Sequence, residues 1–217
     1  MYMLAGPRNK ADLVNLFHDG TRLAFDKGQY VIYPGEAPPG VFYIESGLVK
    51  AYDITKYGEE NLLVIRKQGE VLGLTWAITG EDRHIIYQTL SPTVVWQISR
   101  NVFTSYLKNH PAAALPLVDM VTSMYRGHSQ RILNLEYRSV DERLVSFLLI
   151  TAERFGSQTA DGLLIDVPLK HQDIASSINA SRETTGRAIT RLEKKGLITN
   201  RQTRFILHDV KKLQSYL

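Results

Sequence analysis

At 217 residues and 44% hydrophobic composition, the chain is long enough for one large domain or two modest ones with a sizeable core. It has no cysteine, which excludes disulfides, zinc ribbons, thiolate nucleophiles and cysteine-held iron–sulfur clusters. The net charge of +4 is unevenly placed: from Lys170 to Leu217 ten Lys and Arg stand against four acids, so the first 169 residues carry −2 and a polyanion would dock at the C-terminal end.

The N-terminal Met1-Tyr2-Met3-Leu4 lacks a basic run followed by an apolar stretch, and nowhere do about 18 apolar residues run together. A cytoplasmic protein without a membrane span is therefore expected. From Leu23 to about Ile98 short apolar runs alternate with glycines: Tyr30–Tyr33, Val41–Ile44, Leu48–Tyr52, Leu62–Ile65, Ile85–Tyr87 and Val94–Trp96. Such runs predict strands, and their number and spacing predict a small antiparallel barrel or jelly roll over residues 1–110.

After Pro111 the period changes. Val118, Val121, Tyr125, His128, Ile132 and Leu135 recur at alternating steps of three and four, which predicts a long helix over residues 111–136 with one narrow apolar seam. A narrow seam suits pairing with a second copy better than covering a sheet, so a parallel homodimer is expected, the alternative being a helix packed on its own barrel. Residues 137–140 form a hinge. Asp141 to Phe155 is apolar nearly all round and predicts a buried helix, followed by a polar loop from Gly156 to Gly162 and a short strand ending at Pro168.

Two short helical patterns follow, His171–Ile178 and Arg182–Lys195, separated by Asn179-Ala180-Ser181. This is the spacing of a helix-turn-helix within a C-terminal domain of residues 137–217. Ala175 is small where the helices cross, Asn179 tolerates the left-handed backbone of the turn, and Ser181 caps the second helix. Arg182, Glu183 and Arg187 fall on its exposed N-terminal turns beside Thr184 and Gly186. Arginine offers two donors to guanine and glutamate accepts from cytosine, so double-stranded DNA is the expected partner. Gln172, Ser181, Arg191 and Lys195 join the expected DNA-binding set. Downstream, Gly196–Thr199 and Arg204–Leu207 flank a basic turn as a wing would, with Arg201 and Arg204 placed for phosphates.

The run Ser181-Arg182-Glu183-Thr184-Thr185-Gly186-Arg187, followed by Arg191–Ile198, resembles the recognition helix of the CRP/FNR superfamily, the regulators of the cyclic-AMP receptor protein and fumarate-nitrate reductase type. The N-terminal half is similar too, at Pro34-Gly35-Glu36, Val41–Ile44, Gly47, Gly58-Glu59-Glu60 and Gly69–Gly73. The resemblance implies an α+β chain: an N-terminal cyclic-nucleotide-binding-like β-roll, a dimerisation helix and a C-terminal winged helix-turn-helix. It also implies a palindromic operator with half-sites like TGTGA and contact with RNA polymerase. Lys170 and Thr185 depart from the family pattern, standing where a Ser/Thr cap and an apolar residue are usual.

The resemblance places an effector pocket at Gly73, Leu74, Arg83, His84, His128 and Ser129. Leu74 stands where cyclic-nucleotide-binding members have the glutamate that holds the ribose hydroxyl, and Arg83-His84 replaces an Arg-Ser pair, so the cyclic-AMP contacts are not retained. Three readings stay open: a roll without an effector, an unidentified anionic or nucleotide ligand, or haem. No cofactor is assigned. A sensing module whose main output is not DNA binding is the rival reading, and it has no use for the helix-turn-helix. An enzyme is not expected, since the chain has no nucleophile elbow, phosphate-binding glycine loop or His-Glu-x-x-His spacing.

Overall fold

The computed structural model describes residues 3–81 and 84–217. They form two compact units, Met1–Ile54 with Leu63–Tyr125, and Thr55–Leu62 with Arg126–Leu217. Its elements are helices and strands in both, an α+β chain.

In the first unit two four-stranded sheets make the roll. One runs in the order β1 (Thr21–Phe25), β8 (Thr93–Ile98), β3 (Val41–Ser46), β6 (Val71–Leu72). The other runs β2 (Tyr30–Ile32), β7 (Ile86–Thr89), β4 (Leu48–Ile54), β5 (Glu60–Lys67). Successive side chains of a strand point to opposite faces, and β3 is buried on both. Phe42 and Ile44 join Val31, Val49, Leu72 and Val95 in one core cluster, whereas Val41 belongs to a second with Val71 and Ile98. This double burial is why the run from 41 to 44 reads as continuously apolar.

The second cluster is closed by helices the strand pattern did not predict. Helix α1 (Pro7–His18) starts on a proline, whose fixed φ suits a first turn, and buries Leu13, Leu16 and Phe17. Helices α2 (Leu74–Thr79) and α3 (Arg100–Asn109) bury Ala77 and Phe103. Ser99 caps α3, accepting from the Val102 amide at 3.2 Å. A 3₁₀ turn at Pro111–Ala114 precedes α4 (Leu115–Tyr137), so the long helix begins four residues later than its sequence pattern suggests. Its Asp119 carboxylate accepts from the Leu4 and Ala5 amides at 2.9 Å each, which holds it below the usual carboxylate range.

In the second unit α5 (Val140–Phe155) is the central helix, burying Leu144, Val145, Leu148 and Ala152. Its capping box is complete: the Ser139 hydroxyl accepts from the Glu142 amide, and Glu142 accepts from the Ser139 amide at 2.7 Å. A four-stranded sheet follows the order β11 (Ile198–Arg201), β12 (Arg204–Leu207), β10 (Gly162–Ile165), β9 (Gly156–Thr159). The expected loop from 156 to 162 is thus in part strand. All four residues of β9 are exposed at the sheet edge, so no alternation of apolar and polar residues marked it. Helices α6 (His171–Ser177), α7 (Arg182–Lys194) and α8 (Val210–Gln214) complete the unit.

Candidate nucleic-acid interface

Helices α6 and α7 cross over a buried apolar contact of Ile174, Ala175, Ile178, Ala188, Ile189 and Leu192. Lys170 supplies no side-chain cap to α6; Asp173 compensates, its carboxylate accepting from the Lys170 amide at 3.0 Å. The turn depends on Asn179, whose φ of 50° lies in the left-handed region that asparagine tolerates. Ser181 then caps α7, accepting from the Thr184 amide at 3.1 Å. Thr185 is fully buried and its hydroxyl has no partner among the described residues. Its methyl fills the apolar slot while the hydroxyl carries a desolvation cost.

The exposed first turns of α7 are organised by hydrogen bonds. Arg187 donates through Nη1 to Glu183 Oε1 at 2.7 Å and through Nη2 to Thr184 Oγ1 at 3.1 Å. The Ser181 hydroxyl lies 2.9 Å from the same Thr184 oxygen. Arg182, Glu183 and Arg187 are all exposed. Beside them Gly186 leaves space: an added Cβ would come no nearer than 3.8 Å to His171 Nδ1. A shallow cleft lined by Lys170, Gln172, Arg182, Gln202 and Thr203 joins the start of α6, the start of α7 and the wing turn.

The wing is the β11–β12 hairpin, with Arg201 opposite Arg204 and Gln202 at φ 62° in the turn. Four further cations of the expected DNA-binding set, like Arg187, have intramolecular partners. Arg201 pairs with Asp161 at 3.0 Å and Arg204 with Asp166 at 2.7 Å. Arg191 makes a two-pronged pair with Asp141 of α5, one bond at 2.9 Å, and Lys195 donates to the Tyr216 hydroxyl at 2.8 Å. Arg182 and Arg187 are the arginines exposed on the first two turns of α7. Sequence reasoning missed His171, whose Nε2 lies 3.1 Å from Asn200 Nδ2 and links α6 to the wing.

Residues 22–110 match the cyclic nucleotide-binding domain and residues 142–216 match the Crp-like helix-turn-helix domain. The global nitrogen regulator of Synechocystis is 29% identical over 187 residues, covering 85% of this chain and 83% of that protein. The chain belongs to the CRP/FNR superfamily of transcription regulators. Its fold matches that of the c-di-GMP-responsive global regulator of Xanthomonas campestris, at 19% identity and a TM-score of 0.78 over 92% of this chain and 99% of that one. A CRP/FNR family regulator from Thermus thermophilus matches at 21% identity and a TM-score of 0.72, covering 90% and 97%.

The residues of this CRP/FNR chain that the resemblance assigns to an effector pocket lie at the start of α2, on α4 and in the segment before β7. Gly73 starts α2 at φ 75°, and a Cβ there would press on the Gly40 carbonyl at 3.1 Å. Leu74 packs its side chain against the cluster of α1, α3 and the first sheet. Arg83 lies outside the described residues. His84 is exposed at φ 52°, and His128 and Ser129 are half-buried on α4. No helix among the described residues is long and apolar enough to cross a membrane.

Proposed function

We propose that the chain is a cytoplasmic, homodimeric transcription regulator that reads a palindromic operator with half-sites like TGTGA. The observation that carries this is the exposed Glu183–Arg187–Thr184 network, which holds a carboxylate and a guanidinium at the N-terminal end of α7 before any DNA arrives. Fixing those rotamers in advance lowers the entropy cost of base reading. Arg182, Glu183 and Arg187 address base edges. Gln172, Ser181, Lys195, Arg201 and Arg204 meet the backbone, the two wing arginines by exchanging a carboxylate for a phosphate. Arg191 acts through Asp141, setting the angle of α7 against α5.

Dimerisation is supported by the apolar stripe on one face of α4. Val118, Val121, Ile132 and Leu135 are exposed in the single chain, with Ile132 at 63%, and Tyr125 reaches 71%. An exposed apolar stripe of this length calls for a partner surface, and a second α4 running parallel offers the same stripe. RNA polymerase is the downstream partner the family implies. Cyclic AMP does not suit this roll, because Leu74 is committed to packing where a ribose hydroxyl needs an acceptor, a loss of about 1–3 kcal/mol.

Selection of bound duplexes from a random pool by the purified full chain tests this function. The expected product is an inverted repeat with half-site centres about one helical turn, roughly 34 Å, apart. Recovery of unrelated sequences without two-fold symmetry would overturn it.

A further inference from the structure

The second unit contains a half-buried arginine that the base-reading scheme does not use. Arg131 of α4 donates through Nη1 to the Leu62 carbonyl at 3.1 Å. Its Nη2 donates to Asn61 Oδ1 at 3.2 Å and to the Ser176 carbonyl at 3.0 Å. Ser176 closes the arrangement: its hydroxyl accepts from the Leu62 amide at 3.2 Å and donates to the Asp173 carbonyl at 3.0 Å. Three segments remote in sequence therefore meet at one side chain: the β4–β5 hairpin at Asn61 and Leu62, the long helix, and the first helix of the helix-turn-helix.

The chemistry is costly for a mere filler. Those three acceptors are all neutral, Nε is buried with no partner among the described residues, and burial works against the charge. An aliphatic side chain would pack there without that cost. What arginine adds is a rigid planar fork that fixes direction. One turn further along α4, Asn134 donates to the Ser146 hydroxyl of α5 at 2.7 Å within a buried contact. Between them, Arg131 and Asn134 tie both α5 and α6 to a stretch of α4 that carries Ile132 and Leu135 of the apolar stripe. The α4–α5 junction itself is only Arg138 and Ser139.

We propose that Arg131 is a positioning residue for operator reading: by fixing α6 to α4 and the hairpin, it sets the half-site spacing the dimer accepts. The inference rests on the dimer and palindrome proposed above. Because α6 packs on α7, a fixed α6 places Arg182, Glu183 and Arg187 at a fixed distance from the stripe about which two copies pair. With the fork removed, the reading head pivots on the short junction and tolerates altered spacings, and binding carries a new ordering cost.

The test compares the selected operator with versions lengthened by one and two base pairs between half-sites, measured by fluorescence anisotropy on the full chain. Wild type is expected to lose roughly 100-fold or more on the two-pair insertion, since each added pair shifts one half-site by about 3.4 Å and rotates it. Arg131→Ala is expected to bind the unaltered operator about 10-fold more weakly yet lose less than about 5-fold on insertion, with dimerisation and lone half-site binding unchanged. Arg131→Met keeps the packing of the stem without the fork and should relax spacing in the same direction, which covers the case of Arg131→Ala failing to fold. A wild-type spacing preference in a folded variant overturns the positioning role. A wild-type chain with no spacing preference at all overturns the palindromic dimer instead.

Discussion

Helices α7 and α2 begin in comparable ways and end in different trades. Each follows a non-helical residue that sets its entry, Ser181 in extended conformation for α7 and Gly73 in the left-handed region for α2. Helix α7 keeps its first turn in solvent and cross-braces it with polar side chains. Helix α2 turns its first residue, Leu74, into the apolar cluster of α1 and α3. On the function proposed above, one helix start serves as a recognition surface while the other is given to packing. A family scaffold thus fixes where a functional turn sits, whereas the residue at that turn decides whether it still recognises anything.

The largest effect that would sharpen this contrast is on α7. Arg187→Ala removes a guanine reader and the partner of Glu183, so operator affinity should fall by roughly 10- to 150-fold, about 1–3 kcal/mol, in anisotropy titrations at fixed salt. Leu74→Ala should cost about 2 kcal/mol in urea unfolding, the low end for a partly buried leucine, while the folded variant keeps its operator affinity. Were Leu74→Ala to leave stability untouched and abolish a ligand response instead, α2 would be a recognition element after all and the contrast would break. Ser181→Ala should cost about 1 kcal/mol of stability by loss of the cap of α7, with a weaker operator complex because Thr184 is released.

Gly186→Ala probes the same face from the opposite direction. The new Cβ meets only ordinary contact within the chain, so helix propensity should raise stability by up to about 1 kcal/mol, whereas a groove wall pressed against the helix should make operator binding weaker. The smallest expected effect is a pH dependence. The Ser139 hydroxyl and amide hold the Glu142 carboxyl below its ordinary value. That contribution is complete above the ordinary carboxylate range and is lost as pH falls through the lowered value, so Glu142→Gln should flatten the acid limb of a stability–pH curve.

Much of α7 was legible because its signals are local: a cap at Ser181, a left-handed asparagine, a small residue at the crossing and apolar positions at helical spacing all fall within about 20 residues. The roll's strands were legible for the same reason. Helix α1 escaped because its large apolar residues are confined to Leu13–Phe17, too short a run to show a helical period, and β9 because an exposed polar edge strand has no alternation to read. The partners of the cations were hidden for a different reason. Asp141 and Arg191 are 50 residues apart and Asp161 and Arg201 are 40, and no local spacing announces a pair formed by tertiary packing. Basic residues counted along the chain overstate the free positive charge of the folded C-terminal unit, where Arg191, Arg201 and Arg204 each face a carboxylate.

The central claim is that two copies of α7 read sequence at a fixed separation. Its most direct test is a competition at one salt concentration between the selected palindrome and a scrambled duplex of equal length and composition, with the stoichiometry of the complex measured in parallel. Two chains per palindrome and a preference of about 1,000-fold or more over the scrambled duplex are expected. One chain per duplex, or equal affinity for both DNAs, would contradict it.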